Sequence, residues 1–182
     1  MEATKSKSTR FIAFASQSIA FETGGDKAGA YHLDPKDAGG ETKWGISKRA
    51  HPNENIKALT YQDALRIYET QYWNEYYNFI GDERIAFKLF DMGILSGKAM
   101  AIKILQRAIR NLGTTIAVDG NYGPMSLTAT NMQIGEKLYA EYINEYNKYF
   151  KKITWLRPSN KKFLAGWLRR LSWVWGGDNK EW

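Results

Sequence analysis

With 182 residues, 43% of them hydrophobic and 14% aromatic, the chain is long and apolar enough to bury a core, which excludes a disordered tail or linker. It has no cysteine, so disulfides and thiolate metal sites are excluded, and His32 and His51 alone do not make a zinc site. No stretch approaches the roughly 20 apolar residues of a membrane span. The net charge of +7 fits either a generally solvated basic surface or an anionic partner.

In chain order, residues 1–8 are polar. Lys5, Lys7 and Arg10 precede the short apolar run 11–15, a faint likeness to a signal peptide. That run breaks at Ser16-Gln17-Ser18, so it reads as structure and not as an export signal. Over 9–22, Phe11, Phe14, Ala15, Ser18 and Ile19 recur at helical spacing, and Glu22 extends the same inward stripe. Gly24-Gly25 supplies the stop. Residues 26–47 read as a hairpin, with one strand at 31–33, a turn at 34–40 and a return strand at 41–46. In that return strand Thr42, Trp44 and Ile46 share a face.

Everything afterwards reads as helix. Thr60 with Asp63 caps a segment reaching Trp73, and Asp82 opens another reaching Met92. Residues 98–112 are amphipathic through Ile102, Leu105 and Ile109. Pro124 suits the first turn of a short helix, after the loop 119–124. Two more helices are expected over 134–153 and 160–175. In the last of these, Leu164, Trp167, Leu168, Leu171 and Trp175 form a stripe that reads as core and not as a membrane face. The expected class is mainly α (α+β), with a small β-hairpin in an N-terminal lobe over 9–90 and a helical C-terminal lobe over 91–182. The two lobes are expected to form one compact unit, and nothing demands more than a monomer.

The chemistry gathers at the helix end. A partly desolvated carboxyl at the negative pole of a helix holds its proton, as a general acid must. By position alone, Glu22 is equally well a solvated glutamate at a fraying end. Asp37 and Thr42 together offer a carboxylate and a hydroxyl to hold a water molecule. Asp34 and Asp37 also suit ordinary turn chemistry. Trp44 either stacks on a sugar or packs under the hairpin. Asp91 is either a substrate contact or a buried structural carboxylate.

The pattern Glu22-x-Gly24-Gly25 … Asp34-Pro35-x-Asp37-x-Gly39-Gly40-x-Thr42-x-x-Gly45-Ile46 resembles the signature of glycoside hydrolase family 108. Those enzymes are N-acetylmuramidases with a lysozyme-like fold, many of them phage endolysins. The second half is similar to the predicted peptidoglycan domain that accompanies the family, through Phe90-Asp91, Gly97, Ala101, Leu105-Gln106, Asp119-Gly120, Gly123-Pro124 and Ser126.

The resemblance implies Glu22 as general acid, with Asp37 and Thr42 as the water-holding pair that also resembles that of T-even phage lysozymes. It implies inverting hydrolysis, for which the two carboxyls stand roughly 6.5–9.5 Å apart. Tyr31 is the substrate contact the resemblance implies, and Trp44 and Asp91 are the further candidates already weighed. Bacterial peptidoglycan is the implied partner, with no cofactor, metal, nucleic acid or membrane contact, and the host cytoplasm the implied location until release. Two departures stand out: the family's Glu-Gly-Gly-Tyr is Glu-Thr-Gly-Gly here, and about residues 26–32 are inserted before Asp34. Tyr31 takes the place of the family's Tyr, and Asp34 is the reserve base. The rival readings are a lytic transglycosylase, which needs no water-holding pair, and a non-catalytic wall-binding module.

Overall fold

The computed structural model describes residues 8–25, 31–33 and 40–179. These fall into two compact units, one ending at Trp73 and the other beginning at Asn74.

The first unit opens with helix α1 (Thr9–Glu22), started by Ser8, whose hydroxyl oxygen accepts from the Phe11 N–H at 3.1 Å. Its stripe Phe11, Phe14, Ala15, Ser18 and Ile19 is buried as the spacing predicts. Phe11 and Phe14 meet the Trp73 ring edge to face, at centroid distances of 5.3 and 6.2 Å. Helix α2 (Tyr61–Tyr72) begins with the expected capping box between Thr60 and Asp63, both halves of which form. Hydrogen bonds from Thr60 hold the Asp63 carboxyl below the usual carboxylate range.

Between the helices lies a three-stranded antiparallel sheet of β1 (His32–Leu33), β2 (Glu41–Lys43) and β3 (Ile46–Ser47), in that order. His32 pairs with Thr42, and Lys43 pairs with Ile46. The single return strand expected over 41–46 is therefore corrected to two strands. They are joined by Trp44-Gly45, both at positive φ (55° and 76°). Positive φ at both central residues is the two-residue loop that matches strand twist. Thr42, Trp44 and Ile46 accordingly do not share one strand face.

The second unit is helical. Helices α3 (Glu83–Ser96) and α4 (Lys98–Asn111) are separated only by Gly97, at φ 89°. They are followed by α5 (Pro124–Asn131), the long α6 (Gly135–Leu156) and α7 (Lys161–Ser172). Pro124 opens α5 as predicted. On α6, Tyr142, Tyr146 and Phe150 form the buried stripe, with centroids 5.2 and 5.5 Å apart along it. The loop before α5 is tied to α4 by Gln106. Its amide donates to Asp119 Oδ1 (2.9 Å) and to the Asn121 carbonyl (3.0 Å), and accepts from the Gly120 N–H (2.9 Å).

Two buried charges lock α3 to the end of α7. Asp91 has no exposed surface and receives Arg170 through Nε and Nη2 at 2.8–3.1 Å. Lys88, one turn earlier, donates to the carbonyls of Arg170 (3.0 Å) and Trp173 (2.7 Å). Burial pushes the Lys88 ammonium down to about 8, against the support of Asp91. Below that pH the folded and unfolded chains are both protonated, and the cost of the buried charge is fully present. Between about 8 and the unfolded value near 10.5, only the folded form releases the proton, so stability rises with pH. We expect a gain of about 1–3 kcal/mol across that window. Urea midpoints should show the gain in the wild type and not in Lys88→Met; a parallel rise in both proteins would contradict it.

Candidate functional site

Glu22 is the last residue of α1, and its side chain is exposed. The expectation that it lies desolvated on the inward stripe is corrected. The buried face ends at Ile19, and the helix ends at Glu22, capped by Thr23, whose N–H and hydroxyl both bond to the Ile19 carbonyl at 3.0 Å. Gly24 and Gly25 follow at φ 61° and 83°, in the left-handed region that the predicted stop requires.

What meets Glu22 is the turn between β2 and β3. A methyl group built on Gly45 would stand 2.7 Å from Glu22 Cβ, 2.8 Å from its Cγ and 2.6 Å from Tyr68 Oη. Only a bare backbone fits between them, so Gly45 is fixed by close approach as well as by its φ. Tyr68, buried on α2, donates its hydroxyl to the Trp44 carbonyl at 3.2 Å and so holds the turn in place. Tyr72 lies one helical turn on, its ring 5.8 Å from that of Tyr68. Burial, and then the negative charge of Glu22, push the Tyr72 hydroxyl up from its ordinary value. Tyr68 and Tyr72 thus frame the glutamate, and sequence reasoning did not single them out. Their spacing of four on α2 was the available signal, but it is also the spacing of ordinary core residues.

The other expected site residues are placed unevenly. Thr42 is half-buried on β2, two residues before the Trp44-Gly45 turn, in the middle of the sheet. Trp44 is buried, donates Nε1–H to the Leu59 carbonyl at 3.3 Å and meets Tyr61 edge to face at 5.3 Å. That is the packing alternative. Its ring also borders a cavity of about 550 Å³ lined by Ser16, Ile19, Ala20, Thr23, Gly25 and Tyr61. Tyr31 is half-buried just before β1, with Lys57 Nζ 6.0 Å from its ring centroid. Asp34 and Asp37 lie outside the described residues. Asp91 belongs to the second unit, where it is wholly buried and held by Arg170. The expected substrate contact at Asp91 is therefore corrected to the structural carboxylate. Among the described residues, no group of three or more His, Asp or Glu side chains is arranged to hold a metal ion.

Residues 24–97 match the family Glycosyl hydrolase 108, and residues 100–172 match the Predicted Peptidoglycan domain. The two matches stand in that order along the chain. The first match begins two residues after Glu22 and takes in Asp34, Asp37, Thr42 and Gly45. The structure of Brucella abortus SagA is similar to the chain, at 25% identity and a TM-score of 0.66, covering 89% of each. No curated protein matches. The fold is mainly α and lysozyme-like, with a small antiparallel sheet. The two matches together support a peptidoglycan hydrolase.

Gly45→Ala is expected to displace Glu22 or the turn, and a loss of peptidoglycan turnover of about 10²-fold would tie that contact to activity. The loss of stability should be smaller, about 1–2 kcal/mol from the left-handed backbone. Turnover and melting measured together check this, and wild-type turnover in the variant would contradict it.

Proposed function

We propose that this protein is an N-acetylmuramidase that hydrolyses the β-1,4 bond between N-acetylmuramic acid and N-acetylglucosamine in peptidoglycan. Glu22 protonates the glycosidic oxygen. Asp37, helped by the Thr42 hydroxyl, orients water on the opposite face of the sugar, so the anomeric centre inverts. The fit of Gly45 against Glu22 and Tyr68 carries the reading. It joins the turn that follows the Thr42 strand to the end of the helix bearing Glu22. The basic surface, at net +7, draws the enzyme to an anionic wall.

The test is Asp37→Asn. An inverting muramidase loses its water-orienting base, and turnover should fall by about 10²–10⁴-fold. A lytic transglycosylase takes no water in its chemical step, so unchanged turnover in the variant would overturn the assignment.

A further inference from the structure

The corner where α6 passes into α7 concentrates the charge asymmetry of the chain. From residue 146 to residue 177 there is no Asp or Glu, while eight Lys and Arg occur. Two of these are engaged locally: Lys148 with Glu145 at 2.7 Å, and Arg170 with Asp91. Lys151, Lys152, Arg157, Lys161 and Lys162 are all exposed around the turn.

Large apolar side chains stand among them. Trp155 is 79% exposed, Leu156 56% and Phe163 48%. The helix itself explains the exposure of Trp155. The buried stripe of α6 runs through Tyr142, Tyr146 and Phe150, and Trp155 is nine positions past Tyr146, which at 3.6 residues per turn points it the opposite way. Lys151 and Lys152, four and three residues before it, share that outward face. On α7, Lys162 Nζ lies 4.8 Å from the ring centroid of Phe163. Trp155 and Leu156 contribute little burial to the fold, so folding alone gives no reason for such bulky groups here.

We propose that the α6–α7 corner docks on an anionic phospholipid bilayer, with Trp155 and Leu156 entering the headgroup layer and the surrounding cations meeting lipid phosphates. An indole with one apolar and one polar edge suits that layer, and Lys and Arg stems reach from it to phosphate. The composition favours a bilayer over a glycan. Sugar sites commonly set carboxylate acceptors beside flat rings, whereas this segment has no carboxylate among eight cations, and Leu156 offers no flat face. Contact is at the surface only, since no helix among the described residues is long and apolar enough to cross a membrane.

The experiment is flotation of the full chain with vesicles of pure phosphatidylcholine, and with vesicles containing one-quarter phosphatidylglycerol. Wild type should partition about tenfold or more better to the anionic vesicles, with binding falling as salt rises. The double variant Trp155→Ser/Leu156→Ser should lose that binding about tenfold, with melting and peptidoglycan turnover unchanged. Lys151→Glu/Lys152→Glu should do the same. Equal partition of wild type to both vesicle types overturns the proposal, as does wild-type binding by the serine variant. So does an outcome in which these variants lose binding to purified cell-wall polymer while wild type ignores vesicles, which would make the corner a polymer site.

Discussion

Glu22→Gln is expected to lower turnover on purified peptidoglycan by about 10²–10⁴-fold while leaving melting unchanged. Glutamine keeps the shape of the side chain and removes its transferable proton, so the contacts of Cβ and Cγ with Gly45 persist. Stability should be insensitive because the side chain is exposed at the end of α1 and outside its buried stripe. A protonated carboxyl is required only when the leaving sugar oxygen takes up a proton, so the loss belongs in kcat more than in binding. Turnover within about threefold of wild type would remove Glu22 from the chemistry.

Arg170→Leu should be among the most destabilising single substitutions in the second unit, at about 3–5 kcal/mol. It leaves the Asp91 carboxylate, which has no exposed surface, without the guanidinium that contacts both its oxygens. The paired replacement Asp91→Leu/Arg170→Leu should recover part of the loss, because two apolar side chains can take the place of a buried ion pair at little cost. Recovery is incomplete because Lys88, buried beside them, then loses the support of Asp91. Urea denaturation of the three proteins checks this; a cost below about 1 kcal/mol for Arg170→Leu would contradict it.

The elements carried by local spacing were legible in the sequence. The stripe of α1, the capping box of α2, the Gly24-Gly25 stop and Pro124 at the start of α5 all depend on residues within a few positions of one another. The second hairpin was missed because a tryptophan at φ 55° is rare, so Thr42-Lys43-Trp44-Gly45-Ile46 reads as unbroken alternation until Gly45 is taken as a turn residue. Burial of Asp91 depends on Arg170, 79 positions away, and no local pattern announces such a pair. On α7 the predicted apolar stripe is only partly buried: Leu171 is inside, Trp167 and Leu168 are half-exposed, and Arg170 is drawn in by its carboxylate. The position of Glu22 at a helix end was legible, but its surroundings were not, because Gly45, Tyr68 and Tyr72 come from other elements.

The most direct test of the muramidase reading is mass spectrometry of the muropeptides that wild type and Glu22→Gln release from purified peptidoglycan. Reducing muramic acid ends from wild type, lost in the variant, are the predicted result. Anhydro-muramic ends, reducing glucosamine ends, or equal release by the two proteins would contradict it.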